Sequence, residues 1–275
     1  MSRFPASTCT VIRPRDVEQA LRWLQEDPTL TPLAGCTDLF VQMHAGTLEA
    51  RRFIDLWSLT ELRGIAVHRD LLVIGALTTY REMASSRLVE SWVPMLAQAS
   101  RLVGGPQVQN RGTIGGNVAN ASPAGDTLPV LAVAEAVVVL ASADGTRRVR
   151  FAEFFTGYRS TVRGAQELIA AFEVPRIPGQ QWFRKVGTRA AQAISKVVFA
   201  GVRGERVVRV ALGSVAPTVV RLPATEATLL AALPMTTAAE SLAAEIAPID
   251  DARSTAAYRR QVAQNLLRRF WAETA

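Results

Sequence analysis

Two short stretches of small residues carry the strongest chemical signal in the chain. One is Leu33-Ala34-Gly35-Cys36-Thr37-Asp38; the other is Arg111-Gly112-Thr113-Ile114-Gly115-Gly116-Asn117. Small side chains let backbone N–H groups face an anion, and glycine permits φ > 0 and close backbone approach. The first stretch feeds straight into a predicted helix, whose N-terminal dipole favours negative charge. Together the two loops can clasp the two phosphates of a dinucleotide from opposite sides. Neither has the G-x-G-x-x-G spacing of a Rossmann turn or the G-K-[ST] ending of a Walker loop. Taken singly, each glycine pair reads more readily as a structural turn; their co-occurrence with a long polar segment shifts the balance toward a ligand.

Other reactive residues are few. Cys9 and Cys36 alone cannot ligate an iron–sulfur cluster, which needs about four thiolates. His44 and His68 add too little for a Cys/His zinc site, and no metal site is expected. A nucleophilic mechanism of the Ser-His-Asp or Cys-His kind would have to use one of those two histidines. Both lie outside the loops and read as surface or capping residues. Redox chemistry here therefore requires an organic cofactor. Cys36 reads as a packing residue, with a redox thiol of lowered pKa at a helix N-terminus as the alternative. The tryptophans at 23, 57, 92, 182 and 271 are dispersed and read as core or interface anchors, and Phe154, Phe155 and Tyr158 as a packed helix.

Several elements must position these loops. Asp16 opens an amphipathic helix with Val17, Ala20, Leu21 and Leu24 on one face. The segment Thr31 to Asp38 is a loop leading to a second helix with Leu39, Phe40 and Met43 inward. Phe53 to Leu56 reads as a strand, and Gly64 to Gly75 as a hairpin turning at His68-Arg69-Asp70. Thr79-x-x-Glu82 is a capping box, and a further helix covers Val93 to Arg101. Gly104 to Gly125 is rich in Gly, Asn, Ser and Pro and reads as one long loop, a feature that is usually functional. Asp126 then N-caps a helix through Ala134, and a strand at Ala136 to Ala141 turns through Ala143 to Thr146 into Arg147 to Arg150. The two prolines and glycine of Val174 to Gly179 mark an interdomain boundary. Strand-like runs at Lys196–Gly201 and Arg206–Leu212 precede helices at Thr236–Ile246 and Ala256–Ala272. The whole is a mixed α+β arrangement in three segments.

Composition bounds the function. The chain has 275 residues, 49% hydrophobic and 20% charged, ordinary for a folded globular protein. Its +7 net charge comes mostly from scattered arginines with no aromatic-interleaved basic stripe, so nucleic acid is not the expected partner. The same charge suits an anionic cofactor or an acidic partner subunit. No secretory signal follows Met1, and the greasiest stretch, Thr127 to Ala141, is broken by Pro129 and Glu135 and too short to span a bilayer. Two cysteines in a chain of this size fit a reducing compartment, and the expected location is cytoplasmic.

The run from Gln107 to Asp126, Gln-Val-Gln-Asn-Arg-Gly-Thr-Ile-Gly-Gly-Asn-Val-Ala-Asn-Ala-Ser-Pro-Ala-Gly-Asp, resembles the signature of FAD-binding medium subunits of molybdenum hydroxylases. These are the flavin subunits or domains of xanthine dehydrogenases, carbon monoxide dehydrogenases and related enzymes. Leu33 to Leu39 is similar to the family's first flavin loop. Ile74 to Thr79, Glu167 to Pro175 and Phe183 to Ser195 match further family segments in the expected order, so the agreement spans about residues 5 to 230.

That resemblance implies a two-part FAD-binding unit of the vanillyl-alcohol-oxidase/PCMH type, covering 1–58 and 59–176, followed by a C-terminal antiparallel sheet with helices over 177–275. It implies FAD between the first two parts. The pyrophosphate would be held by Leu33, Ala34, Gly35, Cys36, Thr37, Asp38 and Leu39 on one side and by Thr113 to Asn117, with Gly115 and Gly116, on the other, and Pro32 is a further cofactor-binding position. Val108, Ser122, Asp126, Ile169, Lys185 and Ile194 match other flavin-binding positions, Ile194 as an apolar neighbour of the ring. It also implies partners: a large molybdenum-cofactor subunit and a small 2Fe-2S subunit, as a heterotrimer or its dimer, with NAD, oxygen or a quinone as external acceptor. No side chain here has to act as an acid–base catalyst. Two departures stand out. Cys36 replaces the second glycine of the family's usual Ala-Gly-Gly-Thr-Asp, which puts any φ > 0 demand on Gly35. Gln192 and Ala193 stand where some relatives carry acidic residues, so those relatives do not indicate the acceptor. A self-sufficient FAD oxidase or reductase is one alternative, but neither loop holds a histidine for covalent flavin attachment. A flavin-free scaffold is another, and the intact glycines at 35, 112, 115 and 116 argue against it.

Overall fold

The computed structural model describes residues 8–275; the first seven residues, including part of the expected N-terminal segment, lie outside the described residues. A small parallel sheet comes first, in the order β1 (Thr10–Ile12), β3 (Arg52–Asp55), β2 (Thr31–Leu33). Its crossovers hold α1 (Val17–Glu26) and α2 (Thr37–Ala45). Asp16 caps α1 by accepting a hydrogen bond from Gln19 N (2.7 Å), and Ala20 and Leu24 are the positions it buries against Ile54 and Leu56. α2 differs from its expected orientation. Leu39 and Met43 are half-buried and Phe40 is 56% exposed; the helix buries no residue fully, and its first turn, Thr37 to Leu39, lines a cavity.

The middle sheet is antiparallel, in the order β4 (Ile65–His68), β5 (Leu71–Gly75), β10 (Leu168–Pro175), β6 (Val137–Ser142), β7 (Gly145–Arg150). Between β5 and β6 run six short helices: α3 (Tyr80–Ser85), α4 (Arg87–Trp92), α5 (Pro94–Leu102), α6 (Pro106–Arg111), α7 (Ile114–Asn120) and α8 (Leu128–Val133). The expected capping box is formed: Thr79 Oγ1 accepts from Glu82 N, and the Glu82 carboxylate accepts from Thr79 N at 2.7 Å. Two expectations are corrected. The segment Gly104 to Gly125 is not one long loop, since α6 starts on Pro106 and α7 is capped by Thr113. Phe154, Phe155 and Tyr158 do not share a helix; after the single turn α9 (Phe151–Phe154), the chain enters a ribbon of β8 (Phe155–Gly157) and β9 (Ser160–Thr161), with Tyr158 63% exposed at its turn.

A four-stranded antiparallel sheet follows, β11 (Gln180–Val186), β12 (Val197–Gly204), β13 (Val207–Gly213) and β14 (Val220–Arg221), with α10 (Pro223–Leu230), α11 (Met235–Glu245) and α12 (Ala256–Glu273). β12 is buried on both faces. Val198, Ala200 and Val202 join the core of the middle unit, while Val197 and Phe199 pack with Phe270 of α12. Gly201 lets α12 lie close, since a Cβ there would come within 2.7 Å of the Phe270 ring. The architecture is mixed α+β. Among the described residues no helix is long and apolar enough to cross a membrane.

Candidate functional site

β2 ends at Leu33, and the chain turns through Gly35 and Cys36 into α2. The turn needs one left-handed residue, and it is Cys36 (φ 64°) rather than the expected Gly35. Gly35 serves a different purpose. A Cβ on it would lie 1.7 Å from the carbonyl oxygen of Arg111, so only glycine lets the two small-residue loops touch. Gly115 likewise fits against Ala76, whose Cβ would be 2.7 Å away. Gly116 is more open: the single close neighbour of a Cβ would be Thr113 Oγ1 at 2.9 Å.

Between the loops lies a cavity of about 390 Å³. Of the residues expected to hold a dinucleotide, it brings together Pro32, Ala34, Gly35, Cys36, Thr37, Asp38, Leu39, Thr113, Gly115, Gly116, Asn117 and Ile169. Leu33, Val108, Ser122, Asp126, Lys185 and Ile194 are not on its wall. Leu33 is occupied in β2, opposite Asp55; Val108 packs under Gly104; Ser122 Oγ accepts from Ala124 N (3.3 Å) in a local turn; Ile194 is 55% exposed in the segment between β11 and β12.

Asp126 and Lys185 form a separate buried centre. Lys185 Nζ donates to Asp126 Oδ2 (2.5 Å) and to Leu102 O (2.9 Å), and Ser195 Oγ donates to the other carboxylate oxygen. Asp126 is therefore not the N-cap of α8. Thr127 holds that position without a side-chain capping bond to the helix, because the Asp126 carboxylate is drawn to a cation on β11. Burial raises the Asp126 carboxyl above its ordinary value, against the lowering effect of Lys185.

The donor set around the cavity suits an anion. No described residue accepts a hydrogen bond from the backbone N–H groups of Thr37, Asp38 or Leu39, the first turn of the nine-residue α2, and Cys36 provides no side-chain cap. Asn117 is fixed by Thr127 Oγ1, which donates to its Oδ1 (2.6 Å) and leaves the Asn117 amide hydrogens available at the wall. Arg159, at the β8–β9 turn, donates to Asn120 Oδ1 (2.8 Å) and faces Asp38 across the cavity. Burial raises Asp38, and Arg159 opposes that rise. Leu56, Leu77 and Leu168 complete apolar walls that a purine or flavin ring can use. Open amides, a cation and apolar walls together fit a dinucleotide such as FAD.

Sequence reasoning missed Arg159, Arg163 and Tyr80, which also line this space. Arg159 is one exposed arginine among many and bears no motif, whereas Tyr80 directly follows the capping-box threonine. The histidines stand apart, His44 in the last turn of α2 and His68 at the end of β4, both exposed. Cys36 gives no sign of an activated thiol. Burial pushes it up, Arg111 offsets that in part, and its Sγ lies 3.5 Å from Ala34 O.

The family described as "FAD binding domain in molybdopterin dehydrogenase" matches residues 6–177, and the "CO dehydrogenase flavoprotein C-terminal domain" matches residues 182–274. The chain is 31% identical over 273 residues to the glyceraldehyde dehydrogenase medium chain of Sulfolobus acidocaldarius, covering 96% of this chain and 97% of the other. It is 33% identical over 258 residues to the carbon monoxide dehydrogenase medium chain of Hydrogenophaga pseudoflava, covering 88% and 90%. A solved structure of carbon monoxide dehydrogenase from Hydrogenophaga pseudoflava superposes with a TM-score of 0.90 at 31% identity, over 97% of this chain and 98% of that one. With both family matches in sequence order along nearly the whole chain, this protein belongs to the FAD-binding medium subunits of the molybdenum hydroxylases, an oxidoreductase component whose cofactor is FAD.

Proposed function

We propose that the chain carries the FAD that links a partner's iron–sulfur clusters to an external electron acceptor, within a complex whose large subunit holds the molybdenum cofactor. The observation that carries this reading is the cavity between the two small-residue loops, with the open amides of Thr37 to Leu39 on one side and Asn117 and Arg159 on the other. Those groups would hold the pyrophosphate, and Leu39, Leu56, Leu77, Leu168 and Ile169 would flank apolar rings. When bound, FAD supplies the electron-accepting and electron-donating chemistry that no side chain of this protein offers. The chain's own work is to bind, orient and shield: the loops touch through Gly35, and the apolar wall limits water.

Two groups of expected ligands have different supporting roles in this proposal. Asp126 and Lys185 set the position of the second loop from behind, through Thr127 and Asn117. Ile194, exposed between β11 and β12, is free to cover a ring at the cavity's far end. A division at 1–58, 59–176 and 177–275 is supported by the three separate main sheets. The relatives named as dehydrogenase medium chains support partners of the large and small kind. The acceptor is NAD, oxygen or a quinone. Co-expression with its candidate partners followed by purification tests the reading. FAD should be found in proportion to this chain, with iron and molybdenum only when the partners are present. A purified chain that turned over a small substrate alone, or a complex without flavin, would overturn it.

A further inference from the structure

The backbone donors in the first turn of α7, in the second small-residue loop, are all taken. Ile114 N–H donates to Thr78 O (3.0 Å), Gly115 N–H to Ala76 O (2.9 Å), Gly116 N–H to Thr113 Oγ1 (3.1 Å) and Asn117 N–H to Thr113 O (3.0 Å). A pyrophosphate held between the loops therefore meets open amides on the α2 side and no free backbone amide in the first turn of α7. Tyr80 stands beside that second side. Its N–H donates to Gly112 O (3.1 Å), and its ring lies so close to Gly112 that a Cβ there would come within 2.7 Å of Cε2. The residue is only 4% exposed and lines the cavity, and no described residue hydrogen-bonds its hydroxyl. The hydroxyl oxygen is not sealed among protein atoms, so at the cavity wall it is open to an acceptor, and a ligand oxygen placed there can take its hydrogen bond.

We propose that the Tyr80 hydroxyl donates a hydrogen bond to a pyrophosphate oxygen of the bound dinucleotide, completing from the α7 side the donor set that α2 supplies opposite. The proposal rests on the FAD reading above. Burial, with Asp38 and Asp126 nearby, pushes the phenol well above its ordinary value, so it remains protonated and acts as a donor. Gly112 thereby gains a purpose in the motif: it makes room for the tyrosine ring rather than for the phosphate.

The test compares the full-length apoprotein with Tyr80→Phe, which keeps the ring packing and removes the hydroxyl. Titration with FAD, ADP and adenosine reads the contact directly. FAD and ADP should each bind roughly threefold to tenfold more weakly to the variant, adenosine equally well, and the apparent Tm of the apoprotein should not fall. Unchanged affinity for FAD and ADP would overturn the assignment. So would a loss for FAD without one for ADP, which would put the hydroxyl on the flavin side, or an equal loss for adenosine, which would indicate a packing effect. Wild-type protein that binds no FAD would instead overturn the FAD reading, and this assignment with it.

Discussion

Gly35→Ala separates the two purposes a glycine can have in a phosphate loop. Its new Cβ would sit 1.7 Å from Arg111 O and 2.5 Å from Arg111 C, against an ordinary contact beyond 3.4 Å. The obstacle is backbone, which cannot swing aside like a side chain, so the loops must part by nearly as much again. Overpacking against side chains costs about 1–3 kcal/mol, and a backbone obstacle belongs at the upper end. About 3 kcal/mol corresponds to an apparent Tm lower by roughly 6–12 °C in a chain of this size. FAD affinity should fall with it, because the amides of Thr37 to Leu39 move away from Asn117. Gly116→Ala is the control. Its Cβ meets only Thr113 Oγ1 at 2.9 Å, so the loss of part of a helix cap is offset by better helix propensity, and the Tm should stay within a few degrees. Its methyl nevertheless enters the cavity wall, and FAD binding should weaken. Differential scanning calorimetry of both apoproteins, with FAD titration, makes the comparison. A Gly35→Ala protein with wild-type Tm and wild-type affinity would refute the close approach of the loops.

Three further outcomes follow from the charged groups. Lys185→Met leaves the Asp126 carboxylate buried without its cation, which should cost about 3–5 kcal/mol at neutral pH, and the added change Asp126→Asn should restore most of that; thermal melts that show no loss in the single variant would count against the pair. Arg159→Ala removes the exposed cation at the cavity, and FAD affinity should fall roughly fivefold, about 1 kcal/mol, with a shallower salt dependence in titrations at several ionic strengths; identical salt slopes would remove Arg159 from the site. Glu167 is held below its ordinary value of 4.5 by its hydrogen bonds from Arg147, so that stabilisation is present above about pH 4.5 and is lost as pH falls through the lowered native value. Arg147→Ala should accordingly lower the Tm most at neutral pH and by progressively less as the pH falls below about 4.5, and a Tm difference that did not shrink on acidification would exclude the carboxylate as its source.

What was legible in the amino-acid order is local. The capping box at Thr79, the Asp16 cap and the hairpin at Ala143 to Thr146 each depend on neighbours within a few residues, and all three are formed. The stretch Gly104 to Gly125 misleads for the same reason. Its helices have only six and seven residues, too short for periodicity, and Thr113 and Pro106 start them against a glycine-rich composition. Asp126 also misleads. A carboxylate before an apolar run is a good N-cap by local rules, but its partner Lys185 lies 59 residues away on β11. The positive φ at Cys36 goes against residue preference, and the loop contact through Gly35 explains it: with Gly35 needed for space against Arg111, the left-handed conformation falls to the next residue.

These observations bear on why the C-terminal sheet accompanies the flavin unit at all. Every residue on the cavity wall lies between Thr31 and Ile169, so β11 to β14 contribute no side chain to it. They contribute position. Lys185 on β11 holds Asp126 at 2.5 Å, Ser195 holds its other oxygen, and the adjoining Thr127 donates to Asn117 Oδ1 at 2.6 Å. Ser214 at the end of β13 donates from its backbone to Pro123 O (2.8 Å), gripping the same turn from another side. The wall that presents Asn117 is therefore braced from behind by the C-terminal sheet. Without that sheet Asp126 would lose Lys185 and Ser195 together, and the turn from Ser122 to Thr127 would lose the contacts that hold Asn117 in register. A chain shortened after β10 would keep both small-residue loops and still hold a dinucleotide poorly, because the geometry between the loops is set from behind as well as by the loops themselves.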